Sequence, residues 1–336
     1  MRTHESGLHP LRWVRAIGFA LPALFAVAAY GQGGPPFRTD DPETPGNQHW
    51  EINFGWIGDR NPAAGAYQVP DFDINYGLGD RIQLKYELPI AIEEIRPLPA
   101  TPGAPPQAGH VIAGLGESLL GIKWRFYEHH PGESWIEDRF GTGLLGVFGH
   151  HAPPPLPASD SGDWPGAKDI PEPLLNFSVS TYPQIFLDNP TSAVQRGLVA
   201  RGPDFYLPIE FNARLGPIRI NGEVGYSFGN HAVPQTWNRG LLAGHEFSDR
   251  TEVYLEFYDL QDANRIAPGQ GIGQFATGYP KQREATLGVG GRQAVNKDKT
   301  LNLLLMAGRS FQNVTITNGQ PSWIAYVGFQ LLLGPK

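Results

Sequence analysis

Cysteine is absent from this chain of 336 residues. Its absence excludes disulfides, thiolate metal sites, a cysteine nucleophile and a lipid-modified N-terminal cysteine. It does not fix the compartment, because many exported bacterial proteins lack the residue. Long apolar runs are also missing. Beyond the N-terminal region no uninterrupted apolar stretch reaches the ~18 residues of a membrane-spanning helix, and mean hydropathy is mildly polar. Runs rich in lysine and arginine are missing as well, and a net charge of -7 points away from nucleic acid as a partner. Glycine (42) and proline (32) are abundant, which suits many strands joined by turns better than an α/β enzyme.

The N-terminus has the layout of an export signal. Arg2, Arg12 and Arg15 precede Ala16–Ala29, AIGFALPALFAVAA, a run interrupted by Pro22. It is short for a transmembrane anchor, which needs ~20 residues, and fits a secretory core followed by small residues. Cleavage is expected near Ala29–Gly31, making 1–31 a signal peptide. The Pro- and Asp-rich stretch 32–48 then reads as a tail on the periplasmic side of the first strand.

The dominant pattern in the mature chain is alternation. In Ile218–Phe228, IRINGEVGYSF, the residues Ile218, Ile220, Val224, Tyr226 and Phe228 share one face, and Arg219, Asn221, Glu223 and Ser227 share the other. Successive side chains of a strand point to opposite faces, so this strand has one apolar and one charged side. Strands are expected at 49–57, 69–76, 81–90, 114–127, 174–187, 203–215, 218–228, 237–247, 251–260, 282–293, 299–311 and 322–333. Short connections (77–80, 216–217, 248–250, 294–298) contrast with long ones (91–113, 261–281, 312–321). That one-sidedness is the topology of an outer-membrane barrel, with short periplasmic turns and longer outer loops.

The expectation is therefore an all-β fold: an antiparallel transmembrane β-barrel of about 12 strands spanning 49–336. Chain ends on one side require an even count. Phe140–Gly149 is accordingly assigned to an irregular insertion, 128–173, rather than to a thirteenth strand. Fourteen strands, with a further one near Ser192–Ala200, is the competing count. A soluble β-sandwich also alternates, with its apolar face inward. The export signal, the one-sided loops and the mixed charges on the polar faces favour the barrel.

Several strings carry a resemblance to a known family: GPPFRTDDPETP followed by HWE, NYGLGDRIQLKYELP, GLGESLLGIKWRF, TYPQIFLDNPTS and GVGGR…NKDKTLNLLLMAGRSF. Together they resemble the outer-membrane β-barrel proteins grouped with the phenol-degradation meta-pathway, over about Gly34 to Lys336. The resemblance implies an outer-membrane barrel and uptake of small, aromatic or hydrophobic compounds. It supplies no catalytic residue.

Motifs for chemistry fail one by one. His129–His130 and His150–His151 are paired, but neighbours on a strand diverge and no ligand set accompanies them. His245-Glu246 begins a zinc motif that Asp249 breaks. Asp40, Asp41 and Glu43 match no calcium-loop spacing and read as an N-terminal turn. GQGIG (269–273) lacks the strand-then-helix setting of a nucleotide loop, and Ser310 lies in GRSF, not in a nucleophile elbow. No enzyme activity and no cofactor are expected. The candidate functional residues are those on polar faces: Gln83, Lys85, Glu87, Lys123, Arg125, Glu210, Arg214, Arg219 and Glu223. They would line the lumen of a channel, or pair with one another and fill it. Twelve strands give a lumen between a side-chain-filled eight-strand barrel and an open sixteen-strand porin. The partners expected are outer-membrane lipid, the export and barrel-assembly machinery and a small-molecule solute. A non-conducting structural or adhesive barrel and a soluble periplasmic binding protein are the alternatives.

Overall fold

The computed structural model describes residues 35–62, 64–97, 106, 108–129, 176–188, 198, 203–215, 217–229, 235–262, 283–312 and 322–335. The expected signal peptide, His130, His150–His151 and the strand-like run 140–149 lie outside them. Fourteen strand segments occur: β1 (Trp50–Arg60), β2 (Ala64–Leu78), β3 (Ile82–Ile95), β4 (His110–Leu115), β5 (Ser118–His129), β6 (Asn176–Thr181), β7 (Gln184–Leu187), β8 (Asp204–Leu215), β9 (Ile218–Gly229), β10 (Thr236–Ser248), β11 (Thr251–Asp262), β12 (Arg283–Ala294), β13 (Leu301–Gln312) and β14 (Ser322–Leu333).

They fill twelve positions in one closed antiparallel sheet. β4 and β5 both pair with β3 and together form one interrupted strand. β6 and β7 pair with β5 on one side and with β8 on the other, forming a second. The sheet closes where β1 meets β14, from Trp50↔Leu333 to Arg60↔Trp323. The expected strands 114–127 and 174–187 are thus each split, and the count remains twelve.

Proline accounts for several of the irregularities, though not for the register shifts at Arg125/Tyr127 and Glu246/Ser248. It cannot donate to a ladder and is confined to bulges and edges. Pro183 separates β6 from β7, and across from it Pro208 of β8 offers its carbonyl to the Tyr182 amide and to Thr181 Oγ1. The β4–β5 break lies at Gly116, whose N–H donates to the Pro89 carbonyl of β3. In β2 the register shifts between Gln68 and Asp71, at Pro70.

β1 and β2 run several residues further than alternation indicated, because twisted ribbons stay paired past the last clearly alternating residue. The connection between them shrinks to 61–63. The strand ends that lead into 96–109, 188–203, 230–235, 263–282 and 313–321 are at that same end. The strand ends that bound the turns 79–81, 216–217, 249–250 and 295–300, and those that bound the insertion after β5, are at the opposite end. Two of these turns are clasped: Lys299 Nζ lies 2.9 Å from Asp249 Oδ2. The hydrogen bond from Lys299 holds the Asp249 carboxyl below the usual carboxylate range.

The wall is inverted relative to a soluble protein. Among the described residues, buried polar or charged side chains outnumber buried apolar ones by 29 to 13, while Phe54, Leu120, Leu207, Leu255, Val289, Trp323 and others lie exposed. Aromatic pairs band the outward face near both ends. Trp50–Tyr76 and Trp124–Phe126 lie toward the short turns, and Trp56–Tyr67, Phe205–Phe228 and Tyr226–Trp237 toward the longer connections. Such girdles are the mark of a barrel seated between two membrane interfaces.

Closure between first and last strands is open to a direct check. Trp56 faces Val327 across the seam. A Trp56→Cys/Val327→Cys chain, which has no competing thiol, is expected to form a disulfide on mild oxidation and migrate faster than its reduced form after boiling. Free thiols in the folded, oxidised protein would show an open sheet.

Candidate functional site

The site is the interior of the barrel. All nine candidate residues lie on its inward face. Gln83, Lys85 and Glu87 alternate along β3, Lys123 and Arg125 along β5, Glu210 and Arg214 along β8, and Arg219 and Glu223 along β9. They form pairs, and not a single ring. Lys85 bridges Asp73 at 3.1 Å and Glu87 at 3.3 Å. Arg214 and Arg219 converge on the two oxygens of Glu246 at 2.9 and 3.0 Å. Gln83 donates to Asn75, which donates to Asp73, and Asn53 donates to both Glu51 and Asp73. This ladder joins β1, β2 and β3 across the lumen floor.

The lumen holds a further occupant. Pro35–Thr44 lies inside the barrel and touches walls that face one another, while Asn47 and Gln48 are exposed at the rim beside the 79–81 turn. This corrects the reading of 32–48 as a periplasmic tail, and the physical reason is charge complementarity. Asp40 Oδ1 lies 2.9 Å from Lys123 Nζ, which also donates to the Asp41 carbonyl. Glu43 meets Arg125 at 3.1 Å, and Thr44 Oγ1 and Arg125 both donate to the Asp80 carbonyl. The acidic cluster that matched no calcium loop is thus the partner set of β5.

On the far wall the roles reverse, and backbone N–H groups of the segment meet wall carboxylates. Glu256 Oε1 accepts from the amides of Arg38 (2.8 Å) and Thr39 (2.7 Å) and from Thr39 Oγ1 (2.9 Å). Glu223 Oε2 accepts from the Asp40 amide at 3.0 Å, and its other oxygen accepts from Tyr206. Charge-assisted bonds of this kind are roughly twice as strong as neutral ones. Arg38 reaches Glu284 at 2.9 Å and lies over the Tyr258 ring.

Phe37 fills the larger of two apolar clusters among the described residues; the other holds Leu198 against Ala91 and Ile112. Phe37 packs with Leu242, Tyr254, Leu304, Met306, Ile324 and Tyr326, and meets Tyr254 edge-on at 5.6 Å between centroids. Two glycines make room for the segment. A Cβ on Gly240 would stand 2.3 Å from Thr39 Oγ1, and one on Gly77 would stand 1.8 Å from the Gly46 carbonyl oxygen. Gly46, at φ +86°, turns the chain into β1. A narrow polar cavity remains beside the segment, lined by Asp41, Glu51, Asp73, Gln83 and Lys85 among others.

Lys123 is the centre of this arrangement. It is 1% exposed and lies 3.5 Å from Glu210, which accepts from Ser180 at 2.6 Å, with the Tyr182 ring beneath the ammonium. Glu51, Asp71, Asp73, Glu246, Glu252 and Glu256 also face inward, beyond the nine candidates. Their alternation was the signal available for them. Among the described residues no cluster of three or more His, Cys, Asp or Glu side chains is arranged to hold a metal ion.

An inward polar face, an outward apolar face with aromatic girdles and a seam closed by the first and last strands define a β-barrel of the outer-membrane type. In fold the chain is similar to the crystal structure of an outer-membrane channel from Pseudomonas putida F1, at 11% identity over 87% of this chain and 98% of that one, with a TM-score of 0.52. Looser likenesses are the translocator domain of autotransporter NalP from Neisseria meningitidis (9% identity, 84% and 88% covered, TM-score 0.43) and OccK2 of Pseudomonas aeruginosa (8%, 86% and 98%, 0.34). No family model and no curated relative matches the chain.

Lys123→Met removes the cation from a buried cluster and leaves Glu210 uncompensated. It is expected to destabilise the folded barrel by about 3 kcal/mol or more, read as a lower urea midpoint in detergent. Gly240→Leu is expected to displace the segment while sparing the wall. Amide exchange at 38–40 should rise at least about tenfold, with strand amides unchanged. Unaltered exchange there would place the segment elsewhere.

Proposed function

We propose that this protein is an outer-membrane channel for passive uptake of small solutes, and that Pro35–Thr44 closes its lumen in the state described. The observation that carries the reading is the occupied lumen itself. A barrel filled by its own wall side chains leaves no room for a peptide segment, whereas this one accommodates the backbone of Pro35–Thr44. The space it occupies is the path a solute would take. The fold likeness to a solved outer-membrane channel and the export-type N-terminus support the location. The inward residues Gln83, Lys85, Glu87, Lys123, Arg125, Glu210, Arg214, Arg219 and Glu223 are proposed as the polar lining. The Phe37 site on the opposite wall supports aromatic or hydrophobic passengers, as the resemblance to the meta-pathway group also implies. Export and assembly would run through the machinery that serves other outer-membrane barrels.

The same occupied lumen favours a second reading, a non-conducting barrel in which the segment is a permanent part of the core. Planar-bilayer recordings separate the two. In the channel reading, replacing Phe37–Glu43 with glycine and serine of equal length raises unitary conductance severalfold over the intact mature chain. Membranes that stay sealed with both proteins, at all voltages, would favour the permanent core.

A further inference from the structure

The outward face carries a charge asymmetry that the lumen does not explain. Among the described residues, every lysine or arginine on the outward side of a strand is an arginine: Arg60, Arg239, Arg283 and Arg309. Each lies within four residues of the strand end that leads into the longer connections. They occupy one arc, β10 to β1 through β14. The outward sides of β4 to β9 carry none. A cation on the lipid face is costly at the midplane and nearly neutral at an interface, so the row marks the level of headgroups at that end.

These arginines are built into the wall. Asp259 of β11 is also on the outward side and is 2% exposed, covered by a guanidinium from each flanking strand. Arg239 of β10 reaches Oδ2 at 3.1 Å, and Arg283 of β12 reaches Oδ1. One carboxylate thus holds two guanidinium groups side by side, 47% and 54% exposed, with a net positive charge. Arg309 stacks on the exposed Trp323 ring at 4.3 Å, and Arg60 is paired in register with Trp323 from the other side. Leu241, Leu287 and Phe311 present apolar surface beside them. Cations above apolar surface fit a ligand with anionic head and acyl chains.

We infer that Arg239 and Arg283, fixed by Asp259, form a site for a phosphate group of the phosphorylated glycolipid in the outer leaflet, with Arg309 and Arg60 extending it along the same arc. A guanidinium fork matches a phosphate oxygen pair bidentately. Asp259 neutralises one of the two forks, so the pair alone balances a phospholipid diester; Arg309 and Arg60 on the same arc supply the further positive charge that a phosphate monoester takes up. The inference rests on the outer-membrane reading above, because the end with longer connections must face the glycolipid leaflet.

Native mass spectrometry of the detergent-purified barrel tests it, with bisphosphorylated lipid A, its dephosphorylated form and phosphatidylglycerol as probes. The wild-type protein is expected to bind bisphosphorylated lipid A at least about tenfold more tightly than either other probe. An Arg239→Gln/Arg283→Gln variant should lose that preference. Equal binding of the three probes overturns the site whether or not the variant folds. Undiminished preference in a folded variant overturns it too. A wild-type chain that yields no heat-modifiable barrel in detergent overturns the membrane reading and this inference with it. A heat-modifiable barrel without phosphate preference overturns this inference alone.

Discussion

Backbone satisfaction in lipid is the constraint from which the architecture follows. A strand edge in hydrocarbon leaves N–H and C=O groups without partners, each at a cost of several kcal/mol, and only closure removes the edge. Here closure falls on the seam between β1 and β14, where eleven consecutive residue pairs run without a register shift. The interruptions at Pro70, Pro89, Pro183 and Pro208 sit elsewhere, in β2, β3, the β6–β7 junction and β8. Proline bends the wall where neighbouring strands can still supply partners, and the seam is free of it.

Closure turns the charged faces inward, and the interior must then be neutralised at short range. Much of this happens within the wall, through Lys85 with Asp73 and through Arg214 and Arg219 with Glu246. The β5 cations are different. Lys123 and Arg125 find part of their counter-charge in Asp40 and Glu43, on a segment more than eighty residues away in sequence. The wall carboxylates Glu223 and Glu256 take backbone amides of the same segment. Segment and wall complete each other's bonding, so displacing the segment exposes polar groups that water or a solute must satisfy. This gives the proposed channel a closed state with specific contacts.

The strands were legible because alternation is local. Each strand shows its own two faces, and the inward position of residues such as Lys123 and Glu223 follows from parity within a single stretch of chain. The position of Pro35–Thr44 was not legible for the opposite reason. An Asp- and Pro-rich segment has the same composition in bulk water as in a polar lumen, and its partners are distant in sequence. A trace existed in two unbalanced groups of opposite sign: Asp40, Asp41 and Glu43 with Arg38 as their one nearby cation, and Lys123 and Arg125 with few nearby carboxylates. The break at Pro183 was hidden because the inward and outward parity carries across it, whereas at Gly116 the phase slips, from Ala113 and Leu115 outward to Leu120 and Ile122 outward, within a stretch too short and too rich in glycine to show it. The insertion 128–173 falls almost wholly outside the described residues.

The proposed closure of the lumen by the N-terminal segment requires that the segment can be displaced, and a reversible lock tests this most directly. Thr39 and Gly240 come close enough for a cysteine at each to bridge after a small shift of the segment. In a Thr39→Cys/Gly240→Cys protein recorded in a planar bilayer, the oxidised form should be silent. Reductant added to the same membrane should restore stepwise conductance, at wild-type amplitude or above. Equal conductance before and after reduction, with the disulfide verified, would contradict the account.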